Sequence, residues 1–261
     1  MPSGWHEWLR LFARTAVGSL VGCAIAYIAS TAPCWSGEPH PQTHDSDEVE
    51  IQFLRRVLAD TEDAWLDIFR KAGRRYQEPT LVLFSRITHS ACGLAKAVTG
   101  PFYCTLDQKI YLDLSFFNEL KREYHAPGNF AQAYVIAHEI GHHVQKLLGV
   151  EDKISSLQAR MNERGANRLS VALELQADCF AGVWASSLRR RPGVVLMPED
   201  IDEALRATRA LGDDTIQRLE TGTVILDSFT HGAGDQRARW FKRGLDTGEV
   251  EQCNTFGASD L

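Results

Sequence analysis

Residues 131–144 read AQAYVIAHEIGHHV, and they decide the fold because they predict a buried helix with ionisable side chains at fixed spacing. Apolar residues recur there at helical intervals. Within them, His138-Glu139-Ile140-Gly141-His142 matches the pattern H-E-x-x-H. Two histidines four residues apart lie about 40° apart around a helix axis, so both can direct a ring nitrogen at one ion. We therefore expect His138 and His142 to be metal ligands.

Glu139 projects from the same helix but is displaced from the two histidines. This placement suits a general base better than a ligand. The expected reaction is hydrolysis by zinc-activated water, in which Glu139 takes a proton from the water and later delivers one to the leaving amine. The alternative is a helix with two core histidines and a glutamate that perform no chemistry.

A catalytic zinc ion needs three protein ligands and an open position, so a third ligand should follow on another helix. Glu174 and Asp178 lie in an apolar helical stretch, residues 169–184, where acidic side chains are rare unless they have partners. They share one face at i, i+4, so we expect Glu174 to bind zinc and Asp178 to orient a ligand histidine through its N–H. The alternative is capping or ion pairing with Arg164 or Arg168.

The remaining histidines have weaker patterns. His231 precedes a helix that begins near Gly234 and carries Arg237, and a histidine or arginine there could donate to a developing oxyanion. Alternatively, His231 only precedes the helix and has no chemical role. His143 points away from the metal face and is interpreted as a surface residue or a neighbour of the ligands. His89 and His125 are interpreted as structural.

The N-terminal segment predicts export. Residues 15–32, TAVGSLVGCAIAYIASTA, contain no charge and would span about 27 Å as a helix, close to the thickness of a bilayer core. Arg10 and Arg14 precede the segment, which favours a cytoplasmic N-terminus. A retained transmembrane anchor, a cleaved signal peptide and a lipoprotein modified at Cys23 remain as alternatives, and each places the rest of the chain on the extracytoplasmic (periplasmic or cell-surface) side.

These signals divide the chain into three parts. Residues 1–34 form a cytoplasmic stub and transmembrane segment, residues 35–48 form a polar linker, and residues 49–261 form the catalytic domain. Short apolar runs at 81–84 and 109–114 predict strands on either side of a glycine-containing turn region, while the rest is largely helical. The predicted fold is therefore α+β, mainly helical, with a small sheet.

Composition excludes some classes of function. The net charge is -6 and no basic surface interleaved with aromatic residues is present, so nucleic acid is not expected as a partner. The six cysteines form no CxxC pair, which argues against a zinc site of four thiolates. Four of them, Cys92, Cys104, Cys179 and Cys253, lie in the predicted domain and could form two disulfides in an oxidising compartment.

Several stretches together resemble a known family. The runs AYVIAHEIGHHVQ, LELQADCFAGVWA, FTHGAGDQRARWF and QCNTFG, with CG and GPFYC before them, are similar to the bacterial predicted neutral zinc metallopeptidases, membrane-anchored relatives of gluzincin-type peptidases. The resemblance implies a zincin-like fold with His138, His142 and Glu174 as ligands, Glu139 as base and His231 near the reaction centre. It also implies the disulfides Cys92–Cys104 and Cys179–Cys253. Thr105 departs from the family, which usually has proline there.

The predicted function is therefore that of a membrane-tethered zinc metallopeptidase acting on peptides or proteins. Two other functions stay open. One is a non-catalytic, metal-stabilised envelope scaffold, against which the presence of Glu139 argues. The other is a metalloamidase that cleaves cell-wall peptides with the same chemistry.

Overall fold

The structure is a computed structural model that describes residues 45–96 and 100–258. Contacts divide the chain into two units, residues 1–52 and residues 53–261. In the first unit, the structure describes residues 45–52, which are the beginning of the first helix. The predicted membrane segment, residues 15–32, lies outside the described residues. Among the described helices, none combines the length and the apolar character needed to cross a membrane.

Helices make up most of the described chain and a small sheet interrupts them, as the sequence predicts. The elements in chain order are α1 (Asp45–Lys71), β1 (Thr80–Phe84), β2 (Ile87–Ser90), β3 (Gly93–Lys96), β4 (Phe102–Cys104), β5 (Lys109–Asp113), α2 (Ser115–Arg122), α3 (Asn129–Leu148), α4 (Val150–Gln158), α5 (Glu163–Arg189), α6 (Pro198–Ala210), α7 (Asp213–Thr221) and α8 (Gly234–Thr247). Short 3₁₀ turns, Leu226–Ser228 and Val250–Cys253, flank α8.

The three-stranded sheet has the order β1-β5-β4, with β1 parallel and β4 antiparallel to β5. The predicted strands at 81–84 and 109–114 correspond to β1 and β5. The sequence predicts a turn region between these two strands. This prediction is wrong in part, because the region contains the antiparallel hairpin β2–β3 and strand β4. A disulfide between Cys92 and Cys104 joins the hairpin turn to β4. These strands are three or four residues long, and a covalent bond rather than a long hydrophobic run holds them in place.

The core lies between α1, α3, α5 and α8. Trp65 of α1 packs edge-on against Phe180 of α5, with ring centroids 5.4 Å apart. Tyr134 of α3 meets Phe241 of α8 in the same way at 5.5 Å. Because α3 and α5 are apolar on most sides and buried along much of their length, both are central helices surrounded by protein.

Helices α5 and α8 touch through backbone atoms. A Cβ atom built on Gly244 would overlap the carbonyl oxygen of Cys179. The absence of a side chain at Gly244 therefore allows α8 to lie directly on α5, the helix that carries Glu174 and Asp178. Cys179 is also bonded to Cys253, so the chain after α8 is fastened to the same turn of α5.

We predict that Gly244→Ala destabilises the fold by about 2 kcal/mol, because the added methyl group forces two packed helix backbones apart. Urea unfolding of the full-length chain, followed by tryptophan fluorescence, measures the change. Gly257→Ala is the matched control, since a Cβ there meets only the side chain of Asn254 at 3.6 Å. Equal stability of the two variants would contradict the close packing of α5 on α8.

Candidate metal centre

Three side chains predicted as ligands meet between α3 and α5. His138 and His142 come from α3 and Glu174 comes from α5, and their ligand atoms lie within 4.8 Å of one another. The two Nε2 atoms of the histidines are 3.2 Å apart. Glu174 Oε2 lies 3.1 Å from His138 Nε2, and Glu174 Oε1 lies 3.5 Å from His142 Nε2.

These spacings fit a metal ion. Zinc binds nitrogen and carboxylate oxygen at about 2.0–2.2 Å in a tetrahedron, so neighbouring ligand atoms should lie about 3.4 Å apart. The two Nε2 atoms lie 3.2 Å apart, close to that value, and each has one of the two Glu174 oxygens within 3.5 Å. Two imidazoles and one carboxylate also form a common donor set of catalytic zinc sites. The residues therefore fit a zinc ion with one coordination position left for water or substrate.

The charges of this group depend on one another. Burial alone would raise the pKa of Glu174, but His142 and His138 outweigh it and hold that pKa well below its usual range. Burial alone would lower the pKa of His142, but Glu174 outweighs it and raises the pKa to about 10. The cluster therefore holds one negative carboxylate that favours a positive charge between the two rings.

The two ligand helices approach closely because Gly141 lacks a side chain. Gly141 stands between His138 and His142, and a Cβ there would lie 2.9 Å from the Cα atom and carbonyl oxygen of Ala177. Ala177 in turn stands between Glu174 and Asp178. Small residues at the helix crossing therefore allow the side chains on either side of it to face one another.

Asp178 makes the contact with His138 that its predicted role requires. Its Oδ1 accepts a hydrogen bond from His138 Nδ1 at 2.8 Å, which leaves Nε2 directed at the metal position. The carboxylate is fully buried and is held from other sides by Tyr134 and by Arg237, whose Nε donates at 2.9 Å. Burial alone would raise the pKa of Asp178, but Arg237 and His138 outweigh it and lower the pKa.

Arg237 is thus part of the support for His138. The sequence left open that it donates to an oxyanion, but its guanidinium group is buried and committed to protein acceptors. It contacts both oxygens of Asp178 and donates to the carbonyl of Leu211 at 2.8 Å. The ion-pair partner of Asp178 is therefore Arg237, and not Arg164 or Arg168 as the alternative suggested. Arg164 forms an exposed salt bridge with Asp227.

Gln145 orients the second ligand histidine, and sequence reasoning missed it. Its Oε1 lies 2.9 Å from His142 Nδ1, while its Nε2 donates to the carbonyl of Leu173 at 2.7 Å and to Gln176 Oε1 at 3.2 Å. Because the amide nitrogen serves α5, the amide oxygen faces His142 and accepts from Nδ1–H. Gln176 continues the chain by donating to the carbonyl of Cys253 at 2.9 Å. A buried amide one turn after a ligand is the signal that could have identified it.

Glu139 lies beside the ligands but outside their group. Its side chain is 7% exposed, and its surroundings include His142, His138 and Glu174. Burial raises the pKa of Glu139, although the two histidines and a backbone hydrogen bond of Tyr103 in β4 oppose the shift. A carboxylate with a raised pKa next to a metal position is suited to move protons near neutral pH.

His231 lies in the loop before α8 and is held there by Asp213. The Asp213 Oδ2 atom accepts from three consecutive backbone amides, Thr230, His231 and Gly232, at 2.7 to 3.0 Å, and Oδ1 lies 3.0 Å from His231 Nδ1. Burial alone would lower the pKa of His231, but Asp213 and Glu174 outweigh it and raise the pKa. The loop before α8 therefore presents a histidine whose charged form is favoured.

The other histidines lie elsewhere. The interpretation of His143 as a surface residue is wrong, because its side chain is fully buried between Tyr103 OH at 3.0 Å and the carbonyl of Gln77 at 2.6 Å. It points away from the metal face, as expected, but that side of α3 is also covered by protein. His89 is exposed on β2, and His125 occupies a turn with φ of 51°.

Comparisons with known proteins connect this geometry to a family. The family described as "Putative neutral zinc metallopeptidase" matches residues 14–256. The chain is 50% identical over 259 residues to the uncharacterized protein YpfJ of Escherichia coli (strain K12), which covers 99% of this chain and 89% of that protein. It is 43% identical over 195 residues to the uncharacterized protein Rv2575 of Mycobacterium tuberculosis (strain ATCC 25618 / H37Rv), covering 71% and 65%. No solved structure matches the chain.

We predict that Gln145→Leu weakens zinc binding by about tenfold, because His142 loses the acceptor that fixes its Nδ1 proton. Competition with a chelator measures the zinc dissociation constant of the full-length chain. Gln132→Leu is the matched control, since Gln132 is a half-buried amide on the same helix outside the ligand network. Unchanged affinity in Gln145→Leu would show that Gln145 does not orient the ligand.

Proposed function

The chain belongs to the neutral zinc metallopeptidase family, and on this premise we propose that it is a membrane-tethered zinc peptidase that hydrolyses peptide bonds. The observation that carries the proposal is the convergence of His138, His142 and Glu174, whose ligand atoms lie within 4.8 Å of one another and form a donor set of catalytic zinc sites. Glu139 stands next to them without joining the ligand group. A purely structural zinc site has no need of such a carboxylate.

A zinc ion bound here supplies Lewis acidity, which polarises a substrate carbonyl and lowers the pKa of water. The chain's own residues supply the proton transfers. Glu139 accepts the proton of the attacking water and returns it to the leaving amine, and its raised pKa suits both steps. Asp178 and Gln145 keep the ligand histidines in the tautomer that points Nε2 inward.

His231 is proposed to stabilise the oxyanion that develops on the substrate carbonyl. Asp213 accepts from Nδ1, so in the charged form of the ring, which the raised pKa favours, the second proton on Nε2 points to the other side of the ring and can be donated. His231 is close enough to Glu174 for their charges to interact, which supports a position near the metal centre. A cationic donor that is held in position before the reaction stabilises negative charge at little reorganisation cost.

The location is proposed to be extracytoplasmic, on the periplasmic side or at the cell surface. Residues 15–32 would provide the membrane anchor. The disulfides Cys92–Cys104 and Cys179–Cys253 support export, since such bonds persist in oxidising compartments and are rare in the cytosol.

We predict that Glu139→Gln lowers kcat/KM for peptide hydrolysis by about 10³-fold while one zinc ion stays bound per chain, because the variant loses the base and keeps the ligands. Zinc content by elemental mass spectrometry and cleavage of a peptide library by the full-length chain are the measurements. Glu123→Gln, at an exposed position, is the control. Hydrolysis that survives Glu139→Gln would refute this mechanism.

The wild-type chain distinguishes the alternative functions. If it holds zinc and cuts peptidoglycan peptides but not the peptide library, it is a metalloamidase. If it holds zinc and cuts neither, it is a scaffold.

We predict that His231→Gln lowers kcat by about 10²-fold with little change in KM or in zinc content, because the lost donor acts mainly in the transition state. Steady-state kinetics on one cleaved peptide separate the two constants. His89→Gln, on the exposed hairpin, is the control. A rise in KM at constant kcat would mean that His231 binds substrate in the ground state rather than stabilising the oxyanion.

A further inference from the structure

His143 is a fully buried histidine that has no part in the proposed proton transfers. It follows the ligand His142 on α3 and has two hydrogen-bond partners on other elements. Its Nε2 atom lies 2.6 Å from the carbonyl oxygen of Gln77, and its Nδ1 atom lies 3.0 Å from the hydroxyl oxygen of Tyr103. The ring therefore connects the chain before β1 to β4, which is an edge strand of the three-stranded sheet.

The directions of these two hydrogen bonds follow from the partners. A carbonyl oxygen can only accept, so Nε2 of His143 carries a proton and donates it to Gln77. Burial lowers the pKa of His143, which favours the neutral ring and leaves Nδ1 as an acceptor. Burial also raises the pKa of Tyr103, so its hydroxyl group keeps its proton and donates it to Nδ1.

The alternation of side chains along β4 turns Tyr103 towards α3. Phe102 and Cys104 point to the other face, where Phe102 stacks on Tyr111 of β5 with ring centroids 5.1 Å apart and Cys104 forms its disulfide. Tyr103 instead packs edge-on against the ring of His143, with centroids 5.3 Å apart. Tyr103 therefore contacts α3 while its neighbours hold β4 to the rest of the sheet.

The same tyrosine also contacts Glu139. Glu139 and His143 are four residues apart on α3, so they lie on one side of the helix, one turn from each other. The side chain of Tyr103 reaches His143, and its backbone amide donates a hydrogen bond to the Glu139 carboxylate. Tyr103 thus spans one turn of α3, from the proposed base to the buried histidine.

We propose that His143 positions Glu139 through Tyr103. By accepting the proton of the Tyr103 hydroxyl group, His143 fixes that side chain and so holds the Tyr103 amide against the Glu139 carboxylate. His143 and Tyr103 are positioning residues and take no part in the proton transfers. This inference rests on the proposed peptidase function, which it extends by naming the residues that orient the base.

Two amide substitutions in the full-length chain separate the hydrogen bonds of His143. His143→Asn places a polar atom near the position of Nδ1, so it keeps an acceptor for Tyr103 and loses the donor to Gln77. His143→Gln places one near the position of Nε2, so it keeps the donor and loses the acceptor. We expect His143→Gln to lower kcat about tenfold with KM and zinc content unchanged, and His143→Asn to retain most of the activity.

Tyr103→Phe breaks the same hydrogen bond without a change in the buried helix. We expect it to lower kcat by a similar factor, and His143→Gln/Tyr103→Phe to be no slower than either single variant, because one interaction is lost in all three. Tyr111→Phe is the matched control, since its hydroxyl group donates to Asp107 at 2.7 Å. Losses that multiply in the double variant would overturn the proposal, and so would equal losses in His143→Asn and His143→Gln.

A second readout does not depend on hydrolysis. The chain has six tyrosines, and with ¹⁵N-labelled tyrosine the NMR signal of the Tyr103 amide is identified by its loss in Tyr103→Phe. We expect Glu139→Ala, which removes the acceptor, and His143→Gln each to speed hydrogen exchange of this amide about tenfold. His143→Asn should exchange at the wild-type rate.

The two readouts distinguish a failure of this inference from a failure of the proposed function. An unchanged exchange rate in His143→Gln would refute the positioning role, even in a chain that hydrolyses peptides. Faster exchange in His143→Gln, in a chain whose wild type hydrolyses no peptide, would refute the peptidase and uphold the link from His143 through Tyr103 to Glu139.

Discussion

The close crossing of α3 and α5 is the constraint on which the rest of the molecule depends. Gly141 presents no side chain to the backbone of Ala177, so His138 and His142 stand opposite Glu174, and each Nε2 atom lies within 3.5 Å of one of its carboxylate oxygens. A separation larger by the width of a methyl group would place the carboxylate beyond reach of an ion held by the histidines. Other features of the fold act on this crossing: Gly244 allows α8 to lie on α5, and the bond between Cys179 and Cys253 fastens the chain after α8 to it.

Two hydrogen-bond chains lead away from the ligand histidines, and they differ in kind. From His138 the chain is ionic, through Asp178 to Arg237 and then to the carbonyl of Leu211. From His142 it is neutral, through Gln145 and Gln176 to the carbonyl of Cys253. Both end on backbone carbonyls, which cannot change their protonation. Each histidine therefore has one defined tautomer, and a buried network of this kind is favourable because every member has a partner.

Much of this centre could be predicted from the sequence because the ligands repeat at helical spacing inside apolar helices. His138, His142, Glu174 and Asp178 all show that signal. Gln145 does not, since glutamine is neither a common ligand nor rare in helices, and its role emerges only when α5 supplies Leu173 and Gln176. His143 was interpreted as a surface residue or a neighbour of the ligands because it points away from the metal face, but protein covers that side of α3 as well. The hairpin β2–β3 was missed because strands of four residues carry too little periodicity, and a disulfide holds them.

The pairing of charges separates side chains that build the centre from those that serve a substrate. Asp178 is held by Arg237 and His138, so Arg237 is committed to the fold and the oxyanion needs another donor. Asp213 fixes the His231 ring through Nδ1 and favours its charged form, and for this reason we propose His231 as that donor. Glu139 is different, because burial raises its pKa and the two neighbouring histidines do not fully compensate the shift. A buried acid that the fold leaves under-compensated is unfavourable for stability. Its presence beside the metal centre fits the role that we propose for Glu139, which accepts a proton during the reaction.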